Sequence, residues 1–271
     1  MVYVSAAAGN DDIYLQSTSG QTAINLTKDS SADDNMPAFS PDGEFIAFRS
    51  ERDHGGLFVM GRTGESVRRL TTNGYYPSWS PDGRRIVFST EGSPFPESRF
   101  AISELWEVGV SGEEPHAIGE ADAVQPRISP HGLRIAYWGL PVDSKTKQFS
   151  GTNRDIWTVD LAGKSPVRVT DHEADDWNPV WSPDGRWLYF FEQPLRQHES
   201  VADCAPHLQQ SRSPVRVDSV SDDSHEVLAI EGESLSMPVL TADTSQLFFT
   251  RRTSQGDIWV VHFGDANTRP H

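Results

Sequence analysis

Only one cysteine, Cys204, occurs in the 271 residues, so no intrachain disulfide can form and the fold must rest on packing alone. It reads as a bystander thiol in a long polar loop, with no Cys-His cluster of zinc-finger spacing around it. Basic residues are scarce as well: 23 Lys and Arg stand against 39 Asp and Glu, a formal charge of −16. That balance excludes nucleic acid as a partner, because a phosphate backbone needs a basic footprint. An anionic membrane surface is disfavoured for the same reason. No run approaches the roughly 20 apolar residues of a membrane helix, so no membrane insertion is expected. The first residues lack the basic flank and apolar stretch of a secretory signal. The compartment stays open: cytoplasmic as the chain stands, periplasmic for a mature or excised domain. Amphipathic helical periodicity is missing throughout.

What is present repeats. Ser40-Pro-Asp-Gly43, Ser80-Pro-Asp-Gly83, Ser129-Pro-His-Gly132 and Ser182-Pro-Asp-Gly185 are copies of one tetrapeptide, and Thr241-Ala-Asp-Thr244 is a worn fifth. Their starts lie 40, 49, 53 and 59 residues apart, a period typical of propeller blades. The chemistry suits a tight hairpin: Pro presets φ, Asp favours the second central position, and Gly accepts the left-handed conformation. Each copy follows a short strand with a Pro near its start, such as Met36-Pro-Ala-Phe39 or Asn178-Pro-Val-Trp181. Each precedes a stronger strand, such as Phe45-Ile-Ala-Phe48 or Trp187-Leu-Tyr-Phe190. A third element recurs as Asp12-Ile-Tyr14, Gly56-Leu-Phe58, Glu104-Leu-Trp106, Asp155-Ile-Trp157 and Asp257-Ile-Trp259, and a shorter fourth strand closes each unit. The expected fold is all-β: a single domain over 1–271, a six-bladed propeller of four-stranded antiparallel blades. The blades fall near 1–28, 35–72, 75–119, 124–171, 177–231 and 236–263. The first lacks its innermost strand, and ring closure is the weakest point.

These residues resemble the TolB-like propeller repeat, which runs Pro-x-Trp-Ser-Pro-Asp-Gly, then Ile-Ala-Phe, Asp-Ile-Tyr and Leu-Thr. Asn178-Pro-Val-Trp-Ser-Pro-Asp-Gly185 and Tyr76-Pro-Ser-Trp-Ser-Pro-Asp-Gly83 match it without a gap, and the resemblance covers about residues 2–263. It implies the fold and leaves the function open. Similar blades belong to propeller modules of bacterial kinases and winged-helix regulators, to periplasmic TolB, to prolyl-oligopeptidase-type peptidases and to oligogalacturonate lyase. The expected role is a bacterial scaffold module that binds a protein or peptide partner and is linked to further domains of a longer parent chain.

Blade topology predicts which end binds. Hairpins after strands one and three share one face, and the loops after strands two and four share the other. The long insertions 91–103, 140–153 and 193–213 all follow second strands. The segments leading into the innermost strands reach the same face and bring Asp34, Asn35, Tyr75, Gln125, Asp175, Asp176, Trp177 and Asn178 to the expected channel mouth. Carboxylates, amides and aromatics together suit a peptide, a polar ligand or a hard cation such as calcium, although no cofactor is expected. Solvated loop charge is the plain alternative for the Asp pairs, packing is an equal alternative for Tyr75 and Trp177, and Trp79, Trp106, Trp157, Trp181 and Trp259 read as core. The recurring acids Asp12, Asp155 and Asp257 are expected to hold a neighbouring turn.

No Gly-x-Ser-x-Gly elbow or kinase signature is present, so no catalytic residue is assigned. The alternative is a metal-dependent lyase, lactonase or esterase acting on a sugar acid, lactone or ester. Resemblance to oligogalacturonate lyase would then call for His and Gln around a divalent metal. His54, His172 and Gln125 are its candidates; His131 sits on the hairpin face, and His198 and His207 lie in the long insertion.

Overall fold

The computed structural model describes residues 1–193 except 18, 19, 21, 94, 100, 142–145, 147 and 149–152, and beyond 193 the backbone of five strands. Cys204, His198, His207 and most of the 140–153 and 193–213 insertions lie outside the described residues. Among those described there is no α-helix, only the 3₁₀ turns Arg52–His54 and Pro96–Ser98.

Six antiparallel sheets follow one another along the chain. The first holds β1 (Val2–Ser5), β2 (Asp12–Leu15) and β3 (Ile24–Asn25). The second holds β4 (Asp34–Phe39), β5 (Phe45–Ser50), β6 (Gly56–Gly61) and β7 (Arg68–Arg69), and the third β8 (Tyr75–Trp79), β9 (Arg85–Ser89), β10 (Leu105–Gly109) and β11 (His116–Ala117). The fourth holds β12 (Val124–Ile128), β13 (Arg134–Gly139), β14 (Asp155–Asp160) and β15 (Val167–Arg168). The fifth holds β16 (Asp175–Trp181), β17 (Trp187–Gln193), β18 (Ser213–Asp218) and β19 (Ser224–Glu226). The sixth holds β20 (Ser234–Leu240), β21 (Gln246–Arg252) and β22 (Asp257–His262). Strand order within each sheet is chain order, as in successive propeller blades.

The first sheet begins at its second-strand equivalent, as the repeat pattern predicts. One element differs from that pattern. The third strand of the fifth sheet, β18, reads Ser-Pro-Val-Arg-Val-Asp and carries no Asp-Ile-Trp marker, so it falls outside the repeat pattern.

The chain divides into two compact units, residues 1–128 with 161–164, and 129–160 with 165–271. In the first unit the sheets stack through both of their faces. Alternating side chains explain why β5 is apolar from Phe45 to Phe48 and β6 from Leu57 to Met60. Ile46, Phe48, Phe58 and Met60 pack with Ile13 and Leu26 on one side. Ala47, Leu57 and Val59 pack with Trp79, Ile86, Phe88 and Val108 on the other. Trp79, a residue of the repeat signature, also donates its Nε1–H to the Ala38 carbonyl of the preceding sheet at 3.0 Å.

The tetrapeptide hairpins are built alike. Ser40 Oγ donates to Asp42 Oδ1 at 2.5 Å and accepts the Phe45 N–H at 2.9 Å, while Asp42 accepts the Glu44 N–H at 3.0 Å. The same three bonds recur at Ser80 and Asp82 and at Ser182 and Asp184. Gly43, Gly83, Gly132 and Gly185 have φ between 66 and 72°, the left-handed region that only Gly enters cheaply.

Candidate functional site

At the opposite end from each hairpin, the innermost strand opens with a bulge at its proline. Ladder register slips between Asn35 and Ala38, Tyr75 and Ser78, Trp177 and Val180, and Ser236 and Val239. The residue before the proline takes positive φ in each described case: Met36 52°, Tyr76 54°, Gln125 52° and Asn178 58°. Proline disfavours helical geometry in its predecessor, and left-handed geometry is strained for a non-glycine residue. Bulges of this kind re-aim side chains beside binding sites. Here they turn the two residues ahead of each proline out of strict alternation.

The fourth residue before the proline is structural in three of these strands. The Asp33, Asp122 and Asp175 carboxylates accept the backbone N–H of Asp11, Ser103 and Arg154 at 3.0, 3.0 and 2.8 Å. The next residue in each case, Asp34, Ala123 or Asp176, donates its own N–H back to the carbonyl of that same partner at 2.7–2.8 Å. This two-bond clamp ties β4, β12 and β16 each to the sheet before it. Asp175 is therefore a hook, with Arg154 also 3.9 Å from its carboxylate.

In the first unit Asp34 is fully buried and paired with Arg52 at 2.6 Å. Its Oδ1 and the Asn35 Oδ1 are buried without hydrogen-bond partners. Asn35 stands opposite Arg49, whose guanidinium lies 4.6 Å over the Tyr75 ring and bonds Glu51 at 2.7 Å. Gly92 packs so closely on Tyr75 that a Cβ there would meet the ring. Gln125 is buried and bonds the Tyr76 phenol, which donates to the Gly92 carbonyl at 3.0 Å. Burial pushes that phenol far above its ordinary pKa, so it serves as a neutral donor.

The insertion over this end is anchored by Arg99. Its guanidinium bonds Glu91 at 2.9 Å, the Ala101 carbonyl at 2.9 Å, and both carboxylate oxygens of Asp122. Arg99 is 4% exposed and Asp122 0%.

In the second unit Trp177 is fully buried and tilted against Phe191, with ring centroids 6.0 Å apart. Of the two readings open for this ring, packing and presentation at the channel mouth, its burial agrees with packing. Asn178 is 5% exposed, and its Nδ2 has no partner. Asp176 is also fully buried; neither carboxylate oxygen meets hydrogen-bond geometry, although the Thr170 hydroxyl lies close enough to favour the anion. Burial nonetheless holds its carboxyl well above the usual range, and the charges of Glu192, Asp155 and Asp175 add to that. His172 Nε2 lies 3.5 Å from Asp176 Oδ2 and 3.7 Å from Glu192 Oε2. Glu192 is absent from the sequence reading. The hairpin register places it opposite Asp176, a pairing that the bulge obscures when residues are counted from the turn.

The recurring acids hold the fourth strands. Asp12 accepts from Asn25 at 2.8 Å and Thr27 at 2.9 Å, and Asp155 from Arg168 at 3.0 Å. Burial raises the Asp155 carboxyl to about 6 against the pull of Arg168. Asp257 lies in a strand described by backbone alone. His54 belongs to the Arg52–His54 turn, and His131 reaches the Asp184 carbonyl at 3.0 Å across to the next hairpin.

The profile of the TolB beta propeller domain matches residues 1–146. The chain is 30% identical over 159 residues to the uncharacterized peptidase YuxL of Bacillus subtilis, covering 57% of this chain and 21% of that protein. It is 26% identical over 208 residues to the Tol-Pal system protein TolB of Francisella tularensis, covering 74% of this chain and 45% of that one. It thus spans about half the length, or less, of these relatives. The solved structure of TolB from Acinetobacter baumannii superposes with a TM-score of 0.72 at 16% identity, over 96% of this chain and 60% of that one, and so supports the fold. These matches lend no support to the expected likeness to kinase-linked and winged-helix-linked propellers.

Proposed function

The chain belongs to the TolB beta propeller domain family, and from that premise we propose that it is a non-catalytic six-bladed module receiving a protein or peptide partner. The partner is held at the ends of the innermost strands that lead into the prolines. One observation carries this reading. In both units those strand ends bury polar atoms that lack internal partners: Asp34 Oδ1, Asn35 Oδ1 and Asn178 Nδ2. Native proteins rarely leave such atoms unsatisfied, and peptide N–H and C=O groups are the complementary chemistry. The hairpin ends satisfy their own polar groups, so they offer a partner little. The Tol-Pal system name of one relative agrees with a protein partner, which includes further domains of a longer parent chain.

The test is binding of the wild-type partner to Asn35→Ala and Tyr75→Ala, with Leu133→Ser on the 71% exposed hairpin position as control. Affinity falls at least tenfold in the first two and stays unchanged in the third. Equal binding by all three contradicts the reading. Trp177→Ala is unsuitable, because removing a fully buried Trp costs about 3–5 kcal/mol of stability. A metal-dependent enzyme is the second reading, favoured by the donor atoms gathered around Asp176.

A further inference from the structure

Asp34 and Asp176 occupy the same position, three residues before the proline of an innermost strand. Both are fully buried. Their surroundings differ in one respect. Asp34 has its own cation, Arg52, at 2.6 Å. Among the described residues, the ion pairs of Asp176 and of its cross-strand neighbour Glu192 run instead to a single histidine, His172. Two carboxylates directly opposite each other on one sheet face repel when both are ionised, and a bound cation would offset that repulsion.

From this arrangement we infer that His172, Asp176 and Glu192 form a binding site for a divalent first-row transition ion, with zinc the best match. The three donor atoms, His172 Nε2 and one oxygen from each carboxylate, all lie within 4.8 Å of one another. Tetrahedral zinc with bonds of about 2.0–2.2 Å needs donors roughly 3.3–3.6 Å apart. The His172–Asp176 and His172–Glu192 separations of 3.5 and 3.7 Å are close to that. A second feature points to a ligand independently of the cluster: Asp176 is fully buried with neither oxygen in a partner's hydrogen-bond geometry, the Thr170 hydroxyl being only nearby, and its Oδ2 lies toward His172 Nε2. His172 is 41% and Glu192 33% exposed, so the open side admits the ion and leaves a fourth position for water. A nitrogen donor and only three protein ligands disfavour calcium, which prefers six to eight oxygens.

Binding has a chemical consequence at the ring. The Ala174 N–H donates to His172 Nδ1 at 3.3 Å, which places the neutral ring's proton on Nε2. A metal on Nε2 moves that proton to Nδ1 and displaces the long Ala174 contact. The site goes beyond partner binding, and a metal titration needs no partner, so each can fail without the other.

The experiment is a calorimetric titration of the chelator-treated full chain with Zn²⁺, repeated with Ca²⁺ and with the His172→Gln and Glu192→Gln variants. The wild type should bind zinc with His172→Gln and Glu192→Gln each at least tenfold weaker, an effect of the size seen when metal-site residues are replaced. Calcium should bind more weakly than zinc. Nitrogen NMR of the wild-type histidines should show one ring exchanging its Nε2 proton for an Nδ1 proton on loading. That readout decides the matter if a variant loses its fold. Zinc binding unchanged in both folded variants, no zinc binding by the wild type, or no tautomer exchange would each overturn the inference.

Discussion

Single residues in this protein carry conflicting demands. Met36, Tyr76, Gln125 and Asn178 hold positive φ directly before proline, each at a cost on the order of 1 kcal/mol or more. Met36→Gly is expected to leave thermal unfolding unchanged or raised, because glycine enters that region freely. Met36→Val should lower it, since a branched side chain is a true outlier there. Parallel melting curves of the two variants check this. Arg99 makes a different demand. It is 4% exposed beside a fully buried Asp122, so removing one charge strands the other. Arg99→Met should cost about 3–5 kcal/mol in urea unfolding, far more than a surface ion pair would. The candidate site is poorly legible at this scale. Trp177 reads as a mouth residue because it falls outside the repeat signature, but its burial is set by the bulge and by Phe191, neither of which spacing reveals. Glu192 joins Asp176 only through the register of a bulged ladder.

Within the elements, the hairpins and clamps repeat as units. Serine hydroxyls and backbone N–H groups hold the Asp42, Asp82 and Asp184 carboxyls below their ordinary pKa. A carboxylate whose folded pKa is depressed contributes stability above its unfolded value, near pH 4, and loses it as pH falls through the folded value. The triple Asp→Asn variant should therefore show a shallower loss of stability below about pH 4 than the wild type, measured by acid titration of unfolding. If the two acid limbs coincided, the hairpin bonds would be idle. The hairpins are legible in the sequence because everything they need is local: a proline, an acceptor and a left-handed glycine. β18 is not, because its third-strand identity comes from pairing with β17 and from no motif of its own.

Over the whole molecule, the repeats produce sheets with two unlike ends. Strand and hairpin recur from blade to blade, with the signature tryptophan kept at Trp79 and Trp181, so the all-β class and the TolB-type family follow from the pattern, and Trp79 packs as that pattern requires. Function does not follow in the same way, because the innermost strand ends differ from blade to blade. Asp34 meets an arginine, Gln125 a tyrosine, and Asp176 a histidine. That divergence over a constant frame is how one scaffold presents a specific surface. On the proposed reading the two ends do different work: the hairpins close on themselves, and the strand ends keep buried polar groups that a partner would complement.

The most direct measurement places a photo-crosslinking side chain at Asn35 or Tyr75, and in a matched protein at the half-exposed hairpin residue Phe45, then compares the yield of partner adduct. The account predicts adduct from Asn35 and Tyr75 and background from Phe45. Adduct confined to Phe45 would contradict it.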